Sequence, residues 1–198
     1  MKSSLTWMQD YVDVDMNQDM QAFADKLTIA GIPVEQVKYW GTEVKKVKTG
    51  KILQIDKHPD ADKLVVCQVD MGDEQLQIVT AATNVRVGQI VPVAVHGAHL
   101  PGGTKIKRSK LRGVLSNGMF CSAHEFGFDD SLLLPEEREG IWILPPDTPL
   151  GVDAADYLQV RDVVYEYELP ADRAACFSMV GLSRDFSVLS GKAPGYAD

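Results

Sequence analysis

From Val34 to Gly151 the chain returns again and again to one pattern: a short apolar run, then glycine, proline, asparagine or aspartate. The runs include "VKTGKILQIDKH", "DKLVVCQVDMG", "EQLQIVTAA", "QIVPVAVHGAHL", "NGMFCSA" and "GIWILPPD". Runs this short, rich in β-branched residues and separated by turn formers, read as strands. Many short strands over about 110 residues leave exposed edges unless the sheet curls back on itself, so the pattern predicts a small closed or partly closed barrel. "MGDE" reads as a hairpin turn around Gly72-Asp73, and "SAHEFGF" as a brief helical turn. Pro145, Pro146 and Pro149 end the region, because proline cannot continue a strand ladder.

The flanks read differently. Met20, Phe23, Ala24 and Leu27 follow the spacing of one helical face, with Asn17 as the expected cap and Gly31 as the stop. "SLTWMQDYV" suggests a shorter helix with Leu5, Met8 and Val12 on one side. Beyond Gly151, "DVVYEYEL" alternates as a strand, and "RAACFSMVGLSRDFSVLSG" reads as one helix capped by Asp172 and ending at Gly191. Gly181 either weakens that helix or permits a close contact. The expected organisation is mainly β with α: a barrel over 39–151, inserted into a small, mostly helical, discontinuous domain made of 1–38 and 152–198.

A chain of 198 residues accommodates two such domains. Its first twenty residues carry acids by position 10 and no long apolar core, so no secretory leader is expected. No apolar run approaches the roughly 20 residues of a membrane helix, and a cytoplasmic location is expected. Cys67, Cys121 and Cys176 are odd in number and widely spaced, which fits buried thiols rather than a zinc cluster or disulfide framework.

Charge is segregated. The formal net charge is -8, yet residues 39–151 hold 13 Lys/Arg against 14 Asp/Glu, and the flanks hold 7 against 14. No acid occurs across the 50 residues between Glu74 and Glu125, where random scatter would place about seven. That zone contains Arg86 and, in "TKIKRSKLRG", Lys105, Lys107, Arg108, Lys110 and Arg112. An acidic protein with one acid-free basic region repels polyanions everywhere except there. An ordinary solvated strand face carries mixed signs, so the zone reads as an anion-binding surface. The parity of Lys105 and Lys107 differs from that of Lys110 and Arg112, which calls for a bulge or bend between Arg108 and Ser109. Phe120 and Trp142 are the nearby stacking candidates, though both suit a core; phosphate-backbone contact is therefore expected over base reading.

Other motifs carry less. "GAHLPGGTK" lacks the lysine of a phosphate-binding loop and reads as a tight turn. His58, Asp60 and Asp62 in "HPDADKL" could ligate a metal, but a turn with Asp62 bonded to local backbone is the better reading, and no metal site is expected. Ser116, Ser122 and His124 show no nucleophile elbow, so no catalytic residue is expected in this chain.

The segments "SLTWMQDYVDVD", "LTIAGIPVEQV", "KHPDADKLVVCQVDMG", "NVRVGQIVPVAVHGAHLPGG", "KIKRSKLRGVLSNGMFCSAHEFG" and "GIWILPPDTPLGVD" are collinear with one family. Taken together they resemble the N-terminal quarter of bacterial phenylalanyl-tRNA synthetase beta subunits. The resemblance implies an oligonucleotide/oligosaccharide-binding barrel (OB-fold), the tRNA-binding domain, inserted into a small helical domain. It implies tRNA(Phe) as partner; as a tRNA-binding module the chain is expected to use Lys105, Lys107, Arg108, Lys110 and Arg112, with Arg86 and Asn84, as phosphate contacts. It also implies an alpha subunit that carries the aminoacylation chemistry in an α2β2 enzyme, with ATP and Mg2+ bound outside this chain; neither a membrane nor DNA is implied. The chain departs from the family at Thr80-Ala81-Ala82-Thr83, in place of a Cys-Gly-Ala-Pro-type turn, and at Ala175, in place of an acid. Two other functions compete: a structural or assembly module with little tRNA contact, and a stand-alone RNA-binding protein of the same barrel type.

Overall fold

The computed structural model describes residues 1–195. In chain order its main elements are β1 (Lys2–Ser4), α1 (Leu5–Met8), α2 (Met20–Ile29), β2 (Val34–Trp40), β3 (Lys45–Lys57), β4 (Val65–Asp70) and β5 (Gln75–Thr80). There follow β6 (Ile90–Leu100), β7 (Thr104–Lys105), β8 (Ser109–Leu111), β9 (Val114–Ser116), β10 (Gly118–Phe120), α3 (Ala154–Tyr157), β11 (Asp162–Tyr167) and α4 (Met179–Ser190). They divide into an outer unit, Met1–Trp40 with the chain from Arg161 on, and an inner unit, Gly41–Val160. The divisions differ from the expected 38/39 and 151/152. Trp40 still pairs with Asp162 in the outer sheet, and α3 packs Ala154 and Ala155 into the inner core.

The outer unit departs from the mostly helical expectation, because it is built on a three-stranded antiparallel sheet in the order β1-β11-β2. Alternation in β11 buries Val163, Tyr165 and Tyr167 with Leu5, Met8, Val12, Phe23, Leu27 and Phe186. The two buried phenols keep partners: Tyr165 Oη donates to the Met20 carbonyl at 2.5 Å, and Tyr167 Oη lies 2.7 Å from Ser3 Oγ. Burial pushes both phenol pKa values upward, so they stay neutral.

α2 buries the apolar positions read from the sequence, but its cap is Asp19, whose carboxylate accepts from the amides of Gln21 and Ala22. Asn17 instead donates its amide to Asp15 in the preceding turn. The final helix also differs. Ala171–Phe177 is a 3-10 segment, Ser178 is extended, and its hydroxyl caps α4 through the Gly181 amide at 3.0 Å. A Cβ at Gly181 would lie 1.7 Å from the Ala175 carbonyl oxygen, so the close-contact reading of this glycine holds. Arg173 donates to the Ala30 carbonyl and lies 3.7 Å from Asp185, which also accepts from Cys176 Sγ. One carboxylate thus ties α4 to the 3-10 segment and to the end of α2.

In the inner unit the thirteen-residue β3 is shared by two neighbours, and the main path runs β10-β6-β3-β4-β5 with β7 on β6. Register shifts between Lys45 and Val47 and between Ile52 and Gln54 bend β3. The two ends of the path are joined: the Val79 amide donates to Ser116 Oγ, and the Asn117 amide donates to the Gln77 carbonyl. One core gathers Ile52, Cys67, Val69, Met71, Ile78, Val91, Val93 and Phe120. A second gathers Val44, Val47, Ala94, Ala98, Leu100, Cys121 and Phe126. Burial raises the Cys67 and Cys121 thiols to about 11 and about 12, which leaves them protonated and unreactive. Among the described residues no helix is long and apolar enough to cross a membrane.

Gly181→Ala forces its methyl into the Ala175 carbonyl and is expected to destabilise the chain by about 1–3 kcal/mol, read as a lower urea midpoint.

Candidate nucleic-acid interface

The basic stretch is not one strand with a bulge. β7 stays on β6, with Lys105 opposite His99, and the chain leaves that sheet at 106–108. Ile106 still exchanges bonds with the main chain of Gly97 and Ala98, while the Arg108 amide donates to His96 Nδ1 at 3.2 Å. From Ser109 a separate two-stranded hairpin begins, with Ser109, Lys110 and Leu111 opposite Ser116, Leu115 and Val114. The bend inferred from side-chain parity is therefore a change of sheet.

Arg112 and Gly113 form a two-residue turn with φ of 48° and 89°. Positive φ at both central positions is the type I′ geometry whose twist matches the strands; glycine adopts it without strain. The hairpin base is fastened to β5. Ser116, 1% exposed, accepts from the Val79 amide and donates to the Gly118 carbonyl, and Gln77 Nε2 donates to the Leu115 carbonyl at 2.6 Å. On the other strand, His58 Nε2 lies 2.9 Å from the Leu111 carbonyl oxygen.

Lys105, Lys107, Arg108, Lys110 and Arg112 are all exposed. Among the described residues none of them forms an ion pair, whereas Lys2 and Lys38 both reach Glu166, and Lys48 reaches Asp73. Their charges are left to act outward, and an arriving polyanion need displace no protein carboxylate.

Two other expected contacts are occupied otherwise. Asn84 Nδ2 donates to the Ile141 carbonyl at 2.9 Å and its Oδ1 accepts the Ile141 amide at 3.0 Å, so this amide is a clasp between loops. Arg86 is exposed, but its Nη1 donates to the carbonyls of Thr83 and Val85 and its amide donates to Gln89. The guanidinium shapes its own loop and keeps only part of its donor set free. Phe120 is buried, and Trp142 packs edge-to-face on Phe126 and Phe128, so neither offers a stacking platform. In "HPDADKL" the local backbone bond is made by His58, whose Nδ1 accepts the Asp60 amide, rather than by Asp62. Ser122 and Glu125 form a capping box around Ala123–Phe126.

Residues 47–153, which contain the whole hairpin, match the family described as "Putative tRNA binding domain". The chain belongs to this tRNA-binding-domain family. The beta subunit of phenylalanine–tRNA ligase from Moorella thermoacetica is 50% identical over 191 residues, covering 96% of this chain and 23% of its own length. That from Clostridium acetobutylicum is 46% identical over 186 residues, covering 93% and 23%. The chain thus spans under a quarter of the length of these curated relatives. A solved MetRS related protein from Pyrococcus horikoshii aligns over 54% of the chain and 85% of its own, at 22% identity and a TM-score of 0.39.

The tRNA-binding domain gathers acids just beyond its acid-free zone, around an imidazole. His124 Nδ1 lies 3.1 Å from the Phe128 carbonyl, and Nε2 lies 3.3 Å from both the Arg138 carbonyl and the Asp130 carboxylate. Every partner is an acceptor, so only the doubly protonated ring satisfies both sides. The backbone bonds to Phe128 and Arg138 raise its pKa above the usual 6.5, and the charges of Asp130 and Glu125 add to this. A raised folded pKa stabilises the loop fully below the unfolded value, and that contribution disappears as pH rises through the folded one.

Two measurements check this geometry. The His124 ring, followed by NMR, is expected to titrate above 6.5, with the amides of 123–138 moving at the same midpoint. Asn84→Ala strands the Ile141 amide and carbonyl and is expected to lower stability by about 1–3 kcal/mol in urea unfolding.

Proposed function

We propose that this chain is the N-terminal portion of the beta subunit of a phenylalanine–tRNA ligase, and that it binds or positions tRNA(Phe) through phosphate contacts. The observation that carries the reading is the set of five exposed cations without ion pairs, centred on a hairpin fastened to β5, in a chain of net charge -8. Neutralising phosphates releases their counterions, and the acidic remainder of the chain steers RNA toward the one surface that accepts it. Arg112 at the apex and Lys110 on β8 are the leading contacts, with Lys105, Lys107 and Arg108 beside them. Burial of Phe120 and the packing of Trp142 on Phe126 and Phe128 favour contact with the backbone over base recognition.

The inner unit is read as an OB-fold barrel: the β10-β6-β3-β4-β5 path, with its ends tied at Ser116 and Asn117, supports closure. The ligation of phenylalanine belongs to an alpha subunit in an α2β2 enzyme in the cytoplasm. ATP and Mg2+ are read as bound in the full enzyme, outside this chain. A second reading, an assembly module, draws on the outer unit, where Trp7 and Phe177 stand 53% and 60% exposed beside a groove also lined by Met1, Tyr11 and Met179.

Salt dependence separates the two. Log affinity for tRNA is expected to fall linearly with log salt, by about 0.7–0.9 per phosphate neutralised. The triple variant K107E/R108E/K110E is expected to weaken binding and flatten that slope. Unchanged affinity and slope would leave the assembly role standing alone.

A further inference from the structure

We propose that His58 is the positioning residue of the basic hairpin, a buried imidazole clasp that holds β8 where its cations meet phosphate. This rests on the reading of the hairpin as the tRNA-binding surface. The hairpin is poorly equipped to hold itself: each strand has three residues, and its apolar side chains Leu111 and Leu115 are 38% and 43% exposed. Two-stranded hairpins that bury little surface are marginal in water. β9 is secured by Gln77 and Ser116. β8, which carries Lys110, is the outer strand, and two imidazoles hold its ends. The exposed His96 accepts the Arg108 amide at 3.2 Å, while the His58 ring meets the Leu111 carbonyl at 2.9 Å.

The hydrogen-bond geometry fixes how His58 works. Its Nδ1 accepts the Asp60 amide at 3.0 Å and so carries no proton; the proton of the neutral ring is on Nε2, aimed at the Leu111 carbonyl. The ring therefore bridges two backbone groups 51 positions apart, Asp60 and Leu111, and does so at 6% exposure, where water competes poorly. Leu111 immediately precedes the Arg112-Gly113 turn, so a fixed Leu111 carbonyl fixes the direction in which the turn presents Arg112. A carbonyl oxygen has two lone pairs, and one can serve His58 without disturbing the hairpin ladder. This clasp accounts for the histidine of "HPDADKL" without a metal: both ring nitrogens are committed to the main chain.

Two variants separate the two ends of the ring. The amide oxygen of His58→Asn can stand in for Nδ1 toward Asp60 but cannot reach Leu111; the terminal amide of His58→Gln can stand in for Nε2 as donor to Leu111. In the 198-residue chain, His58→Asn is expected to speed hydrogen exchange of the amides in 109–116 about tenfold while those of β4 and β5 keep their rates. The same variant is expected to weaken tRNA binding several-fold, and His58→Gln to restore both toward the wild type. Wild-type hairpin exchange in His58→Asn, or equal acceleration in β4 and β5, would overturn the clasp. Indifference of tRNA binding to K107E/R108E/K110E would instead overturn the functional reading on which it rests, and the exchange result would remain to report on the clasp alone.

Discussion

The buried hydroxyl of Ser116 is the junction of the inner unit. It accepts from Val79 on β5 and donates to Gly118 on β10, the two ends of the strand path. An open sheet of this size would present two edges of unpaired amides and carbonyls, each a template for unwanted pairing. Ser116 and Asn117 engage three of those edge groups, the Val79 amide, the Gly118 carbonyl and the Gln77 carbonyl, where the β8–β9 hairpin runs into β10. β9 ends at this junction, and β8 is placed by its pairing with β9. A serine suits the junction because the hydroxyl both donates and accepts; alanine there would leave the buried Val79 amide and the half-buried Gly118 carbonyl without this partner.

Around that frame, charge is arranged by subtraction as much as by addition. Lys2, Lys38, Lys48 and Lys192 lie close to carboxylates, and exposed pairs of that kind add little stability. The five cations of the basic stretch lie in the 50-residue stretch without acids and, among the described residues, form no such pair. Repulsion among them costs stability, and the cost is tolerable because the side chains are solvated and a Debye length of about 8 Å screens them at physiological salt. The acids resume at Glu125, where His124, Asp130 and the capping box consume them in shaping the adjoining loop.

What the sequence made legible follows from how local each cause is. Alternation in "DVVYEY", the helical spacing of Met20, Phe23, Ala24 and Leu27, and the Gly72 turn depend on neighbours within a few residues, and all three are present. Asp19 displaced Asn17 as cap because two acceptor-bearing residues stood within reach of one helix start, and only the folded entry angle chose between them. The single long helix from Asp172 broke at Ser178, where capping Gly181 and the approach of Ala175 outweighed continuity. In the candidate interface, the exposure of the five cations agrees with their segregation in sequence. The roles of Asn84, Gln77 and His58 were hidden, since each depends on a partner roughly 40 to 60 positions away. "HPDADKL" was visible as a motif, but the partner of its histidine, the Leu111 carbonyl, lies 53 positions away.

The outer sheet has its central strand at one end of the chain and both neighbours at the other: β11 pairs with β1 and β2, and Tyr165 lies opposite Ser3 and Val37. Forming those pairs closes a loop of well over a hundred residues, a contact pattern of high sequence separation that slows folding. Prefolding the intervening inner unit shortens the effective loop to the distance between its own two ends. Synthesis runs in the same order. All strands of the inner unit leave the ribosome before β11 is made, while β1 and β2 wait with unpaired edges and the apolar side of α2 uncovered. Vectorial synthesis thus makes the inner unit the first to complete and the outer unit dependent on it for speed. A lesion at Ser116 that delays folding of the inner unit would appear first as aggregation through the N-terminal forty residues, far along the sequence from the lesion itself.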